Sequence, residues 1–113
     1  MTQPNTAWLA RDPRLAEIVR RLVDAYQPER IYLFGSVARG EAGPDSDYDL
    51  LVVVGDDASP ALRRSRAAYE ALRGTRTAAD VLVCTRSYFE ARTHLKASLA
   101  GTVLREGQLL HVA

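Results

Sequence analysis

Two aspartates, Asp47 and Asp49, stand at alternate positions at the head of the apolar run LLVVV (50–54). A run of that composition suits a strand covered on both faces in the middle of a sheet. Carboxylates are poor strand formers and costly to bury without a compensating partner. Two of them opening such a strand must either meet a cation or lie at an exposed strand end. A second strand start repeats the pattern, because Asp80 precedes VLVC (81–84).

IYLF (31–34) is a short β-type run, followed at once by Gly35, Ser36 and the helix-compatible residues 37–39, before Gly40 and the turn-rich EAGPDS. Asp12 followed by Pro13 is an N-cap with proline at the first helical position, and Leu15, Ile18, Val19, Leu22, Val23 and Tyr26 recur at helical spacing up to Pro28. Ser59 and Pro60 repeat the cap, which predicts a second long helix. Its buried stripe is Ala61, Leu62, Ser65, Ala68, Tyr69 and Leu72, Gly74 ends it, and Arg63, Arg64 and Arg66 form a solvated face. Ser87 with Glu90 is a capping-box signature for a third helix over Ala91, Leu95 and Leu99, ending near Gly101. A turn at Glu106 and Gly107 leads to LLHV (109–112), a short strand or part of an interface. Residues 1–11 are expected to be an N-terminal arm whose Trp8 packs on the domain or on a partner, and residues 12–113 a single domain.

Composition narrows the function classes. With 113 residues, 47% hydrophobic and 26% charged, the chain suits one compact domain. Its formal net charge of +1 offers no general basic footprint, so direct nucleic-acid binding is not expected. The one cysteine, Cys84, cannot form an internal disulfide and reads as a buried structural thiol. No apolar stretch approaches the roughly 20 residues that span a bilayer, and a cytoplasmic location is the expectation.

On a strand, Asp47 and Asp49 project from one face, and Asp80 joins them if the third strand pairs beside the second. Converging carboxylates repel one another unless a cation sits among them, and their hard oxygens suit Mg²⁺ or Mn²⁺. Gly35 permits close backbone approach, and a helix starting there offers N–H groups to a phosphate. Ser36 can add a hydroxyl donor. Arg39, one helical turn along, either adds charge to the same phosphates or lies in solvent. The loop lacks the lysine of a P-loop, and GxGxxG is missing. Glu41 and Asp45 read as loop surface and His94 as exposed, while His111 belongs to the tail. None of these is expected to be catalytic.

GSVARG (35–40), SDYDL (46–50) and ADVL (79–82) together resemble the minimal nucleotidyltransferases of the DNA polymerase β superfamily, and in particular the antitoxins of HEPN/MNT modules. The resemblance implies an α+β fold with a small mixed sheet and helices packed against it. It implies that Gly35 and Ser36, with Arg39 beside them, hold ATP as nucleotide donor. Asp47, Asp49 and Asp80 would bind two Mg²⁺ ions, Asp80 helping to hold the one that activates an incoming hydroxyl. The product would be a nucleotidylated acceptor, with release of pyrophosphate. The implied acceptor is a tyrosine of a HEPN toxin that AMP transfer silences. Larger relatives carry further domains, for which 113 residues leave no room, so a partner protein or second subunit is expected to complete the cleft.

Two alternatives stand beside this. One is a non-catalytic antitoxin that binds its HEPN partner through an apolar surface such as the C-terminal helix and LLHV tail. The other is a nucleotidyltransferase for an RNA end or a small hydroxylated molecule, against which the near-neutral charge counts.

Overall fold

The computed structural model of the chain describes residues 3–43 and 47–113, leaving aside the side chains of Arg63 and Ser65. Its centre is a four-stranded sheet of β1 (Arg30–Phe34), β2 (Tyr48–Val54), β3 (Ala79–Thr85) and β4 (Gln108–Val112) in the order β3-β2-β1-β4. β1 runs antiparallel to both β2 and β4, whereas β2 and β3 are parallel, so the sheet is mixed. A parallel pair needs a crossover. It comes from residues 55–78, which carry a 3₁₀ turn (Pro60–Arg63) and helix α4 (Ser65–Ala71).

The apolar run of β2 is central and covered on both faces, as its composition predicts. Leu50, Val52 and Val54 meet α2 (Pro13–Tyr26) and α4 through Leu15, Ile18, Leu22 and Ala68. Leu51 and Val53 face the other way, toward α5 (Arg86–Arg92) and α6 (Leu99–Glu106) through Phe89, Ala100 and Val103. The period of two along the strand thus serves two cores. Among the described residues no helix is long and apolar enough to cross a membrane.

Helix α2 follows the sequence signals closely. The Asp12 side chain accepts from the Leu15 N–H at 3.1 Å, and Leu15, Ile18, Val19, Leu22 and Tyr26 are buried. Ahead of it, α1 (Ala7–Arg11) sets Trp8 and Leu9 against the core, and the Asn5 N–H donates to the Leu109 carbonyl at 2.6 Å.

Two helices differ from their sequence expectations. The stretch after Ser59 is broken at Arg64, whose ψ of 143° is extended, into the 3₁₀ turn and α4. Leu62, Ala68 and Leu72 still reach the core, but Tyr69 is 71% exposed, so the stripe is too narrow to hold one straight helix. Arg64 and Arg66 are exposed, and the side chain of Arg63 lies outside the description. The second difference follows β3. Thr85, not Ser87, caps α5, because the Ser87 N–H and hydroxyl both donate to the Asp56 carboxylate. The chain then turns and restarts at Ser98, whose hydroxyl accepts from the Gly101 N–H at 2.9 Å. Gly101 lies inside α6 and does not end the helix; a β-carbon there would strike the Leu95 carbonyl. The LLHV tail is strand β4 with Leu109 and Leu110 buried, so it is core and not an apolar docking surface.

Candidate active site

The register of the sheet assembles the sequence-predicted residues at one end. Phe34, the last residue of β1, pairs with Asp49, and Asp49 pairs with Asp80 on β3. Adjacent strands lie roughly 4.8 Å apart, so Gly35, Asp49 and Asp80 step across three strands in order. By the strand period, Asp49 and Asp80 share the face that carries Leu51, Val53, Leu82 and Cys84. Asp47 sits one residue before β2 and is exposed, so it does not join the ladder as a strand residue would. It borders a cleft together with Asp80. Asp45 and Ser46 lie outside the described residues.

Gly35 is demanded twice over. Its φ of 76° is left-handed, and a β-carbon on it would collide with the Asp49 carboxylate. The chain can therefore turn from β1 straight into the short helix α3 (Gly35–Ala38) with its backbone against Asp49. Phe34 at the N-cap position is extended and offers no side-chain cap, which leaves the first N–H groups of α3 available to an anion. Ser36 opens this turn with a hydroxyl that has no partner among the described residues. Arg39 pairs with Glu41 at 3.0 Å and is exposed. Its charge nonetheless reaches Asp49.

The electrostatics of this end are those of excess negative charge. Burial, then the neighbouring charges of Asp80 and Asp47, push the Asp49 carboxyl above the usual aspartate range, and Arg39 pulls it partly back. A divalent cation is the direct remedy, and the carboxylate oxygens are donors of the right hardness for Mg²⁺. The donor set fits such an ion in chemistry and charge. Among the described residues, however, no three acidic, histidine or cysteine side chains close around a single point.

One supporting pair is absent from the sequence reading. Tyr48, between the two aspartates, donates its hydroxyl to Asp12 Oδ2 at 2.5 Å, while Asp12 Oδ1 caps α2. Burial first and this bond second push the Tyr48 phenol up to about 12. Asp12 thus ties the start of the aspartate strand to the helix beneath it. The only sequence signal was a tyrosine where an apolar residue would serve. His94 is exposed on the turn after α5, and His111 lies half-buried in β4 opposite Ile31, so neither approaches the site.

No curated protein matches the chain. Its fold is similar to that of a toxin–antitoxin structure solved with AMP-PNP (TM-score 0.60, 23% identity, over 87% of this chain and 73% of that one). A mutant of the toxin–antitoxin MntA-HpeT gives a TM-score of 0.59 at 20% identity over the same shares. A Sulfolobus solfataricus protein assigned as a nucleotidyltransferase gives 0.52 at 26% identity, over 80% of this chain and 84% of that one. The model of the nucleotidyltransferase domain matches residues 13–110, from the first residue of α2 into β4 and across every element of the site, and the chain belongs to that family.

Proposed function

We propose that the chain transfers AMP from ATP to a tyrosine hydroxyl of a HEPN-type partner toxin and acts in this way as its antitoxin in the cytoplasm. The observation that carries this reading is the seating of the Gly35 turn directly against the Asp49 carboxylate, one strand from Asp80. A triphosphate on the N–H groups of α3 would have its reacting end at the carboxylates. Ser36 would donate its hydroxyl to the same phosphates, and Arg39 would exchange Glu41 for a phosphate oxygen. Asp47, Asp49 and Asp80 would hold Mg²⁺, or Mn²⁺ in its place. Bound divalent ions supply charge neutralisation at the attacking and leaving oxygens of an in-line displacement.

The reaction balances as a substitution at phosphorus. The acceptor oxygen bonds to the α-phosphorus, the bond from that phosphorus to the oxygen bridging the β-phosphate breaks, and pyrophosphate leaves. The acceptor proton is lost to solvent. Two similar structures support the toxin partner: one is a toxin–antitoxin with AMP-PNP, and the other carries glutamate in place of two aspartates two positions apart, the spacing of Asp47 and Asp49.

The test is incubation with α-labelled ATP, Mg²⁺ and the toxin encoded by the adjoining gene. Label is expected on a partner tyrosine and should vanish with Asp47→Ala or Asp80→Ala. Labelling that survives both substitutions sinks the reading. One observation favours a second reading, neutralisation by binding alone: Leu82, Tyr88, Leu95 and Leu99 leave exposed apolar surface around a cleft of about 600 Å³. That reading expects undiminished neutralisation by an Asp47→Ala/Asp49→Ala protein.

A further inference from the structure

The order of the sheet gives the site a direction. The phosphate turn follows β1, Asp49 is on β2, and Asp80 is on β3, the outermost strand. In an in-line displacement the attacking oxygen arrives opposite the leaving pyrophosphate. With the leaving end on the β1 side, the acceptor approaches from the β3 side.

A cleft of about 690 Å³ lies at that edge on the α4 side of the sheet, the face opposite the one Asp49 shares with Leu51; Asp47 and Asp80 border it at the strand ends, and Tyr69, Leu72, Arg73 and Arg76 form its far wall. Its far wall belongs to the most basic part of the chain. Residues 63–76 contain five arginines and one glutamate, a local charge of +4 in a chain whose net charge is +1. The wall is braced from behind, because Arg21 Nη1 donates to the Arg73 carbonyl at 2.8 Å and the Thr75 hydroxyl donates to the Leu72 carbonyl at 2.8 Å. The arginine heads are not so engaged. Arg73 has only a 3.7 Å contact with Glu70 in solvent. Arg76 has no hydrogen bond or ion pair among the described residues and holds a left-handed backbone, φ 58°, that favours glycine.

Two kinds of anion could meet such a wall, an acidic polypeptide or a nucleic-acid strand stacked on Tyr69. The edge of the sheet favours the polypeptide. β3 pairs only with β2, so among the described residues its outer backbone groups beside the cleft face no other strand. An extended peptide can satisfy them with main-chain hydrogen bonds, and its side chains then alternate between the two walls.

We infer that the acceptor hydroxyl arrives on an extended polypeptide segment carrying acidic side chains, laid along the free edge of β3, with Arg73 and Arg76 holding its carboxylates. This rests on the transferase reading for the identity of the step but not for the binding. The same two arginines would offset the repulsion between acidic flanks and the carboxylates of the site.

Binding can therefore be measured without nucleotide. The probes are fluorescein-labelled peptides with one tyrosine flanked by glutamates or by glutamines, and a labelled single-stranded oligouridylate, each titrated with the full chain and read by anisotropy. The acidic peptide should bind at least about tenfold more tightly than the glutamine peptide, lose that margin in Arg73→Glu/Arg76→Glu, and weaken with salt. Arg76→Gly, which suits the left-handed backbone, should keep the fold and still weaken the acidic peptide. Equal binding of the two peptides, or a preference that survives charge reversal, overturns the inference. So does tighter, arginine-dependent binding of the oligouridylate, or loss of AMP-PNP binding in the charge-reversed chain, which would assign the arginines to the donor. If the peptide preference holds but no label is transferred from ATP to any protein, the docking edge stands and the transferase reading falls. If label reaches the partner equally well with Arg73→Glu/Arg76→Glu, the reverse is true.

Discussion

Gly35 and Asp49 are in such close contact that a single methyl group on the first would overlap the carboxylate of the second. The two residues lie 14 positions apart in sequence, yet the β1–β2 register places them side by side. The glycine turn and the Asp49 carboxylate are thus one structure, and a change in either is felt by both.

Gly35→Ala tests this. The left-handed φ alone costs about 1 kcal/mol for a non-glycine residue, and relief of the clash must come from moving Asp49. The expected result is a loss of roughly 2–4 kcal/mol in denaturant unfolding together with loss of AMP-PNP binding by calorimetry. A variant that keeps both contradicts the contact.

Asp49 should also make stability depend on pH. Its carboxyl is raised by burial and by Asp80 and Asp47, so the folded chain holds that proton more tightly than the unfolded chain does. Stability is then greatest where Asp49 is protonated, and it falls as pH rises from the ordinary aspartate range through the raised value. Above that value the penalty stays in full. Asp49→Asn should therefore melt higher than wild type near pH 7 and converge with it near pH 3. Mg²⁺ should raise the wild-type melting temperature more than that of Asp49→Asn. Identical melting temperatures near neutrality would count against the crowding of charge.

The Asp12–Tyr48 bond joins helix α2 to the aspartate strand. A double-mutant cycle of Asp12→Asn and Tyr48→Phe should give a coupling of about 1.5–3 kcal/mol, the range of a hydrogen bond to a charged group. In ultraviolet titration, with Tyr48→Phe as the reference, Asp12→Asn should bring the Tyr48 phenol down from about 12 but not to its ordinary value, because burial is the larger cause. Asp12→Ala should lose about 1 kcal/mol more by removing the cap.

Cys84 gives a further check on the packing under α5. Burial pushes its thiol up to about 11. At pH 8 the thiolate fraction is then roughly a hundredfold below that of a free cysteine, and reaction with a disulfide reagent should slow in proportion. Unfolding in denaturant should restore the ordinary rate.

Much of the fold was legible because it is written locally. Asp12, Pro13 and the spacing from Leu15 to Tyr26 act within a few residues of one another, and helix α2 forms where they indicate. The apolar run after Asp49 admits little but a central strand. The helix after β3 departs from its sequence signal for the opposite reason: the Ser87 and Glu90 pattern is a local cap signal, but Ser87 is engaged by Asp56, 31 residues earlier. A contact across the fold outranks a cap nearby, and no window of sequence contains both partners.

The amino-acid sequence alone determined the chemistry available at the site, because a glycine turn after one strand and aspartates at the heads of two others are properties of residue type and spacing. It could not determine which strands are neighbours. Only the tertiary structure decided that β2 lies between β1 and β3, which sets Gly35 against Asp49, brings Asp80 alongside and leaves the basic wall of Arg73 and Arg76 on the open edge. The physical reason is that strand pairing is chosen by the burial of both sheet faces at once, a condition on the whole core that no single segment carries.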